Sequence, residues 1–312
     1  MVKVIIDSDT GTDVDDALAI ALAARSNELS LEAVTTVFGD TVLRARIAKK
    51  ILNLTGRTGV PVAVGEANPI TPTATARMRG HEGEGLLTEA EPLELEPLSA
   101  VDTIISRVLA APGEITVIAV GALTNLAIAI RKEPALIKSI PRLMVMGGTI
   151  APPIVGGVTL PPQTEYNLNC DPDAAVQVLG SGIPITLVPV NMTLQVCLSD
   201  QHLARIKAAG SPLADSLFEL MTIWLDHLQR TRVARGWPPE MVRVWLHDPL
   251  TVALAIDPGF VRTADMCVKV EMRDGVLRTI RQSTGPSNME VVVEVNAKRF
   301  ADEFVSRILA DK

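Results

Sequence analysis

A chain of 312 residues with 47 % apolar and 21 % charged residues has the composition of an ordinary globular protein, which excludes a disordered or fibrous chain. Its net charge of −7 excludes a nucleic-acid or anionic-membrane footprint, since no dense Lys/Arg cluster interrupts the acidic balance. Arg44, Arg46, Lys49 and Lys50 come closest and read as the solvated face of one helix. No apolar run approaches the roughly 18 residues of a membrane span, and Met1-Val2-Lys3 leads into a strand with no signal-peptide core. Three scattered cysteines, Cys170, Cys197 and Cys267, fit reduced thiols, so a soluble cytoplasmic protein is expected.

In chain order, Val4-Ile6, Leu31-Val37, Val60-Val64, Ile115-Val120, Leu143-Met146 and Ile185-Val190 read as buried strands. Helical spacing fills the gaps at Asp13 to Ala24, Thr41 to Leu54, Ala100 to Ala110 and Leu123 to Arg131. A mostly helical segment runs from Ser199 to Arg235, and Cys267 to Val295 reads as a strand meander before a terminal helix, Ala297 to Leu309. The alternation predicts an α/β fold: an open, mostly parallel sheet with helices on both faces, plus a small C-terminal meander, in one domain spanning 1–312. Two Pro/Gly-rich stretches, Pro69 to Pro97 and Ile150 to Thr164, are too long to be simple connections and are expected to be functional or mobile.

The strongest local signal follows the first strand: Asp7-Ser8-Asp9-Thr10-Gly11-Thr12-Asp13-Val14-Asp15-Asp16. Acids favour a helix N-terminus, which accounts for Asp13, Asp15 and Asp16 but not for Asp7 and Asp9 at a strand end. So many like charges repel unless a cation or protons neutralise them, and clustered oxygens select a hard divalent ion. An EF-hand loop started at Asp7 fails, because its sixth and twelfth places hold Thr12 and Leu18 rather than Gly and Glu. A haloacid-dehalogenase-type phosphatase, which opens Asp-x-Asp-Gly-Thr, fits weakly, because Thr10 precedes Gly11.

This opening resembles that of the nucleoside hydrolase family of the inosine-uridine-preferring type, Asp-x-Asp-x-Gly-x-Asp-Asp-Ala-x-Ala. Asp7, Asp9 and Gly11 match its first half and Asp15-Asp16-Ala17-Leu18-Ala19 its second, with two extra residues between. Further matches follow in order: Thr35 to Gly39, Gly121 to Leu126, Met146-Gly147-Gly148, Glu165-Tyr166-Asn167, Asp171 to Ala175 and His247-Asp248-Pro249-Leu250. Asp9, Gly39, Thr124 and Met146 each lie just past a predicted strand, where open parallel sheets place their ligands.

The resemblance implies hydrolysis of the N-glycosidic bond of a nucleoside or modified N-riboside. It implies Ca²⁺ held by Asp9, Asp16, Asp248 and the main-chain carbonyl of Thr124, although Thr124 also suits a helix cap. Asp9 is the candidate general base, taking a proton from water beside the cation. Asp15 is expected on a ribose hydroxyl, Glu165 and Asn167 on the sugar's far hydroxyl, and Asp40 and Met146 at the substrate. His247 is the first candidate to protonate the departing base and His81 the second, whereas His202 and His227 carry no such context. Tyr166, Trp237 and Trp245 flank these residues, with Trp237 in a turn suited to covering the pocket or to anchoring a loop. A homo-oligomer, dimer or tetramer, is the expected assembly.

Three departures from the family pattern are expected to lie around the sugar and to change sugar preference: Gly39-Asp40 for Gly-Asn, Gly157-Val158-Thr159 for a second Gly-Asn, and the longer acidic opening that leaves Asp13 unplaced. The competing readings are a metal-dependent phosphatase and a non-catalytic ribose-binding protein.

Overall fold

The computed structural model describes residues 1–70, 78–88, 93–160, 165–233 and 237–310. An eight-stranded sheet runs β3-β2-β1-β4-β5-β8-β12-β9, where β1 is Val2–Ser8, β2 Leu29–Thr36, β3 Val62–Ala63, β4 Ile115–Ala119, β5 Leu143–Met146, β8 Ile185–Val188, β9 Val261–Met266 and β12 Met289–Val295. Every pairing is parallel except that of the edge strand β9 with β12. The α/β expectation holds. Two small antiparallel pairs lie outside the sheet: β6 (Ile154–Val155) with β7 (Val158–Thr159), and β10 (Val268–Arg273) with β11 (Val276–Arg281).

Strand periodicity splits the core across the sheet. Val4 and Ile6 of β1 enter one apolar cluster while Ile5 enters the other, because successive side chains leave opposite faces. The Asp15–Arg25 helix is buried at ten of its eleven positions and packs on the His247–Ile256 helix, so its Ala/Leu/Ile composition is apolar all round. These two helices carry acids in their first turns, Asp15 and Asp16 on one and Asp248 on the other. Their packing brings acids far apart in sequence to one end of the sheet.

Three expectations change. The predicted meander is not one unit: β12 inserts into the main sheet beside β8, burying Met289, Val291 and Val292, while β10 and β11 form a separate hairpin. The segment Ser199 to Arg235 breaks into Asp200–Ala208 and Pro212–Thr231, because the Ser211 hydroxyl accepts from Ala214 N and Pro212 starts a new helix; Arg235 lies outside the described residues. The basic helix face is only partly solvated. Arg44 is 2 % exposed and Lys49 8 %, each turned inward to donate to main-chain carbonyls.

Candidate active site

The acidic loop leaves β1 at its C-terminal end, and local hydrogen bonds separate structural acids from those facing the cavity. Asp7 points into the sheet, where its Oδ1 accepts from Thr35 Oγ1 (2.6 Å) and Asn125 Nδ2 (2.8 Å). Burial pushes its pKa up to about 7. Ser8 Oγ donates to Asp16 Oδ1 at 2.6 Å, tying the strand end to the following helix. Gly121, at the end of β4, packs so closely that a Cβ there would lie 2.9 Å from the Asp9 nitrogen. Arg44 closes the loop from behind, donating to the carbonyls of Phe38 (2.6 Å) and Thr10 (2.9 Å) and to Thr12 Oγ1 (3.2 Å). Phe38 itself is held at φ 63°, a costly conformation for a bulky residue, directly beneath the site.

Asp15, Asp16 and Asp248 each offer a carboxylate oxygen within 4.8 Å of the others, and all three are buried. The Asp248 nitrogen donates to Asp15 Oδ2 at 3.3 Å. Burial, followed by the charge of Asp13, pushes Asp15 up to about 8, and burial with neighbouring acids raises Asp16 and Asp248 well above the usual carboxylate range. Asp9 stands beside this trio, raised by burial to about 6 although the Arg44 guanidinium pulls the other way. A buried, all-oxygen cluster of acids that repel one another is the donor chemistry that suits a hard divalent cation.

These acids form the floor of a cavity of about 360 Å³. Val120, Met146, Glu165, Tyr166 and Asn167 line one wall. Glu165 is buried and accepts from Leu168 N (2.9 Å) and Asn169 Nδ2 (2.9 Å), which fixes its carboxylate at the start of the Asn167–Cys170 helix. The Asn167 amide donates to the Val120 and Met146 carbonyls, so it joins the ends of β4 and β5. Asp13, Arg79, Trp224, His227, Arg232 and Trp237 also line it.

The structure thus gathers Asp9, Asp15, Asp16, Met146, Glu165, Asn167, Trp237, His247 and Asp248 around one cavity. His247 Nδ1 lies 2.6 Å from Thr193 Oγ1, and burial with the nearby charge of Arg232 drives its pKa down to about 3. Burial thus favours its neutral form. His81 is set back from the cavity, its Nε2 donating to the Thr12 carbonyl (2.8 Å) and its ring 4.6 Å from that of His227. Thr124 opens its helix with its hydroxyl donating to Asp171 Oδ2 (2.7 Å), a tie rather than a cap.

Two of the three departures do not reach the cavity lining. Asp40 is exposed and caps the Thr41–Leu54 helix, its carboxylate accepting from Leu43 N at 2.9 Å, and Val158 is exposed on β7. The third does: Asp13 lines the cavity. Sequence reading passed over Arg79, Trp224, His227 and Arg232; the Trp224-x-x-His227 spacing on one face of an amphipathic helix is the signal that was there to find.

A family model described as inosine-uridine preferring nucleoside hydrolase matches residues 4–302. Among curated relatives, a probable uridine nucleosidase 2 of Arabidopsis thaliana is 31 % identical, covering 96 % of this chain and 88 % of its own length. A pyrimidine-specific ribonucleoside hydrolase of Escherichia coli is 29 % identical, covering 96 % and 94 %. Among solved structures, a plant nucleoside hydrolase superposes with a TM-score of 0.84 at 28 % identity over 99 % of both chains. A purine-preferring ribonucleoside hydrolase from Gardnerella vaginalis gives 0.83 at 28 % over 98 % of both. The phosphatase and non-catalytic readings therefore give way: the chain belongs to the inosine-uridine preferring nucleoside hydrolase family, hydrolases that act on the N-glycosidic bonds of nucleosides.

Proposed function

We propose that this chain, acting as a single catalytic unit over residues 1–312, hydrolyses a nucleoside to ribose and free base with a Ca²⁺ ion at the carboxylate floor. The supporting observation is the buried Asp15-Asp16-Asp248 trio with Asp9 beside it at the base of a substrate-sized cavity. Asp9, Asp16, Asp248 and the Thr124 carbonyl would hold the ion, with Asp15 near enough to share it or to take a ribose hydroxyl. Bound there, the cation supplies charge that favours the ionised carboxylates and acidifies an adjacent water.

Asp9 takes the proton of the attacking water, a role suited to a carboxylate raised toward neutrality. Glu165 and Asn167 hold the far end of the sugar, so the ring is fixed at both ends while its C1′ flattens toward an oxocarbenium ion. The electron pair of the breaking C–N bond leaves with the base, toward His247 and the Met146 side of the cavity. His81 acts behind His227 rather than on the base directly. We also propose a cytoplasmic homo-oligomer, dimer or tetramer; no helix among the described residues is long and apolar enough to cross a membrane.

The test is release of reducing sugar from a panel of purine and pyrimidine nucleosides, with and without chelator, and with Ca²⁺ restored. Ribose release that stops on chelation and returns with Ca²⁺ is expected. Full activity after exhaustive chelation overturns the metal role, and no release from any nucleoside overturns the activity. Light scattering reads the assembly.

A further inference from the structure

We propose that His227 is the group that gives the departing base its proton, with His81 as the positioning residue behind it. The inference rests on the hydrolase reading above and adds a catalytic residue that lies outside the family motifs of this chain.

The Pro212–Thr231 helix turns Trp224, His227, Leu228 and Thr231 to the cavity, the spacing of one helix face. With the sugar on the carboxylate floor and on Glu165 and Asn167, this face is left for the heterocycle. His227 is half-buried and stacks on Trp224 with ring centroids 5.6 Å apart and planes within 10°, which sets its ring at the cavity. The Arg232 charge acts on His227 and on His247 alike, so both imidazoles stand around the same part of the cavity.

His81 supplies what His227 needs in order to carry a proton. Its Nε2 donates to the Thr12 carbonyl at 2.8 Å, an acceptor-only partner, so the neutral ring keeps its hydrogen on Nε2 and a lone pair on Nδ1. That Nδ1 is buried and has no hydrogen-bond partner among the described residues. A buried acceptor left unpaired is costly, and the His227 ring lies 4.6 Å away, centre to centre. A small turn of the His227 ring brings one of its N–H groups to this lone pair. The other nitrogen then faces the cavity. Only the imidazolium has an N–H for each side, so the His81 lone pair favours the form of His227 that can donate.

The charges around the pair tune this acid. Burial holds His227 below the ordinary 6.5, followed by the charges of His81, Arg79, Arg230 and Arg232. Arg230 is paired with Asp226, Asp13 faces His81 from the acidic loop, and Glu82 accepts from its own loop and from Thr12 Oγ1. An acid somewhat stronger than free imidazole gives up its proton readily, and half-exposure lets solvent restore it. In the step, water adds its oxygen to C1′ and passes a proton to Asp9. The C1′–N bond breaks with its electron pair on the heterocycle, and the His227 imidazolium gives that heterocycle one proton. His227 is left neutral and regains a proton from solvent as Asp9 releases the one it took.

The test measures kcat and KM for uridine, inosine and p-nitrophenyl riboside from about pH 5 to about pH 9, in the Ca²⁺-loaded wild type, His227→Phe, His227→Gln and His81→Gln. Both His227 variants should lose about 10²-fold in kcat on the nucleosides and little on p-nitrophenyl riboside, whose phenolate leaves without a proton. Because His227 acts protonated, nucleoside turnover should fall as pH rises through its pKa, and that limb should vanish in both variants. His81→Gln keeps a donor for the Thr12 carbonyl and removes the Nδ1 acceptor, so it should lower nucleoside kcat by about tenfold with KM held. Nitrogen NMR of the imidazoles reads the pair without turnover: the His227 titration should move in His81→Gln. Equal losses on both substrate types, or an unchanged pH limb in the His227 variants, overturn His227 as the acid and leave the hydrolase reading intact. A His227 titration unmoved in His81→Gln overturns the role of His81. No cleavage of any riboside by the wild type overturns the hydrolase reading and this one with it.

Discussion

The floor and the mouth of the cavity are made from opposite materials. The floor is carboxylate, buried, and anchored at the ends of β1 and of two packed helices in the middle of the sheet. The mouth is guanidinium and aromatic, and its residues come from the 78–88 segment and the outer Pro212–Thr231 helix. The floor is fixed by the strand end and the two helix starts that carry its acids. A mouth on peripheral elements can vary without disturbing that floor, so chemistry and base selection are physically separable.

The sharpest way to break this comparison is at the floor. Asp9→Asn should lower kcat by about 10³-fold and affect KM less, because it removes the proton acceptor and weakens one metal ligand while Asp15, Glu165 and Asn167 still hold the sugar. Steady-state kinetics check it, and a comparable loss in KM alone would place Asp9 in binding only. Next comes the support behind the floor. Arg44→Met leaves the Phe38 and Thr10 carbonyls without their buried donor and should lower unfolding stability by about 3 kcal/mol in a denaturant melt.

The third prediction uses pH. In the metal-free protein Asp15 is raised from 3.8 to about 8, so the folded chain keeps a proton that the unfolded chain has released. Stability in chelator should therefore fall as pH rises from about 4 toward about 8, and Ca²⁺ should flatten or reverse that fall, because it favours the ionised carboxylates. Melting curves at about pH 5 and about pH 8, with and without the ion, measure it; no pH dependence in chelator would mean the acids are already compensated within the protein.

Smaller effects are expected around the leaving group and at the surface. His247→Ala should slow nucleosides by about tenfold and a p-nitrophenyl riboside less, since a good leaving group needs little help. Equal losses would place His247 in positioning rather than departure. Asp40→Asn should change almost nothing, because the side chain is exposed and Asn caps a helix about as well as Asp. A change in sugar preference in that variant would bring Asp40 back to the substrate despite its distance from the cavity lining.

Much of this was legible in the residues themselves. Short β-branched apolar runs mark β1, β2, β4, β5 and β8 as buried strands, and the alternating helices force parallel pairing. The acid density after β1 exceeds what helix capping needs, so charge repulsion alone calls for a cation or bound protons there. The order of Asp15-Asp16, Glu165-Tyr166-Asn167 and His247-Asp248 carries the family resemblance, and these residues do line one cavity.

What the residues did not disclose depends on partners distant in sequence. Charged side chains are usually solvated, yet Arg44 is buried, because three acceptors from two other segments converge on it. β12 joins the main sheet because a buried gap beside β8 accepts Met289, Val291 and Val292, which local alternation does not reveal. Asp40 sits next to a family glycine, yet the helix it caps turns it outward. His227 has no motif around it; its own helix sets it beside Trp224, but only tertiary packing brings it to His81. Sequence pattern determines which elements form and where charge must be neutralised, because those are local consequences of periodicity and repulsion. Which side chains meet across the cavity was decided by tertiary packing, because that depends on how helices far apart in the chain are rotated against one sheet edge.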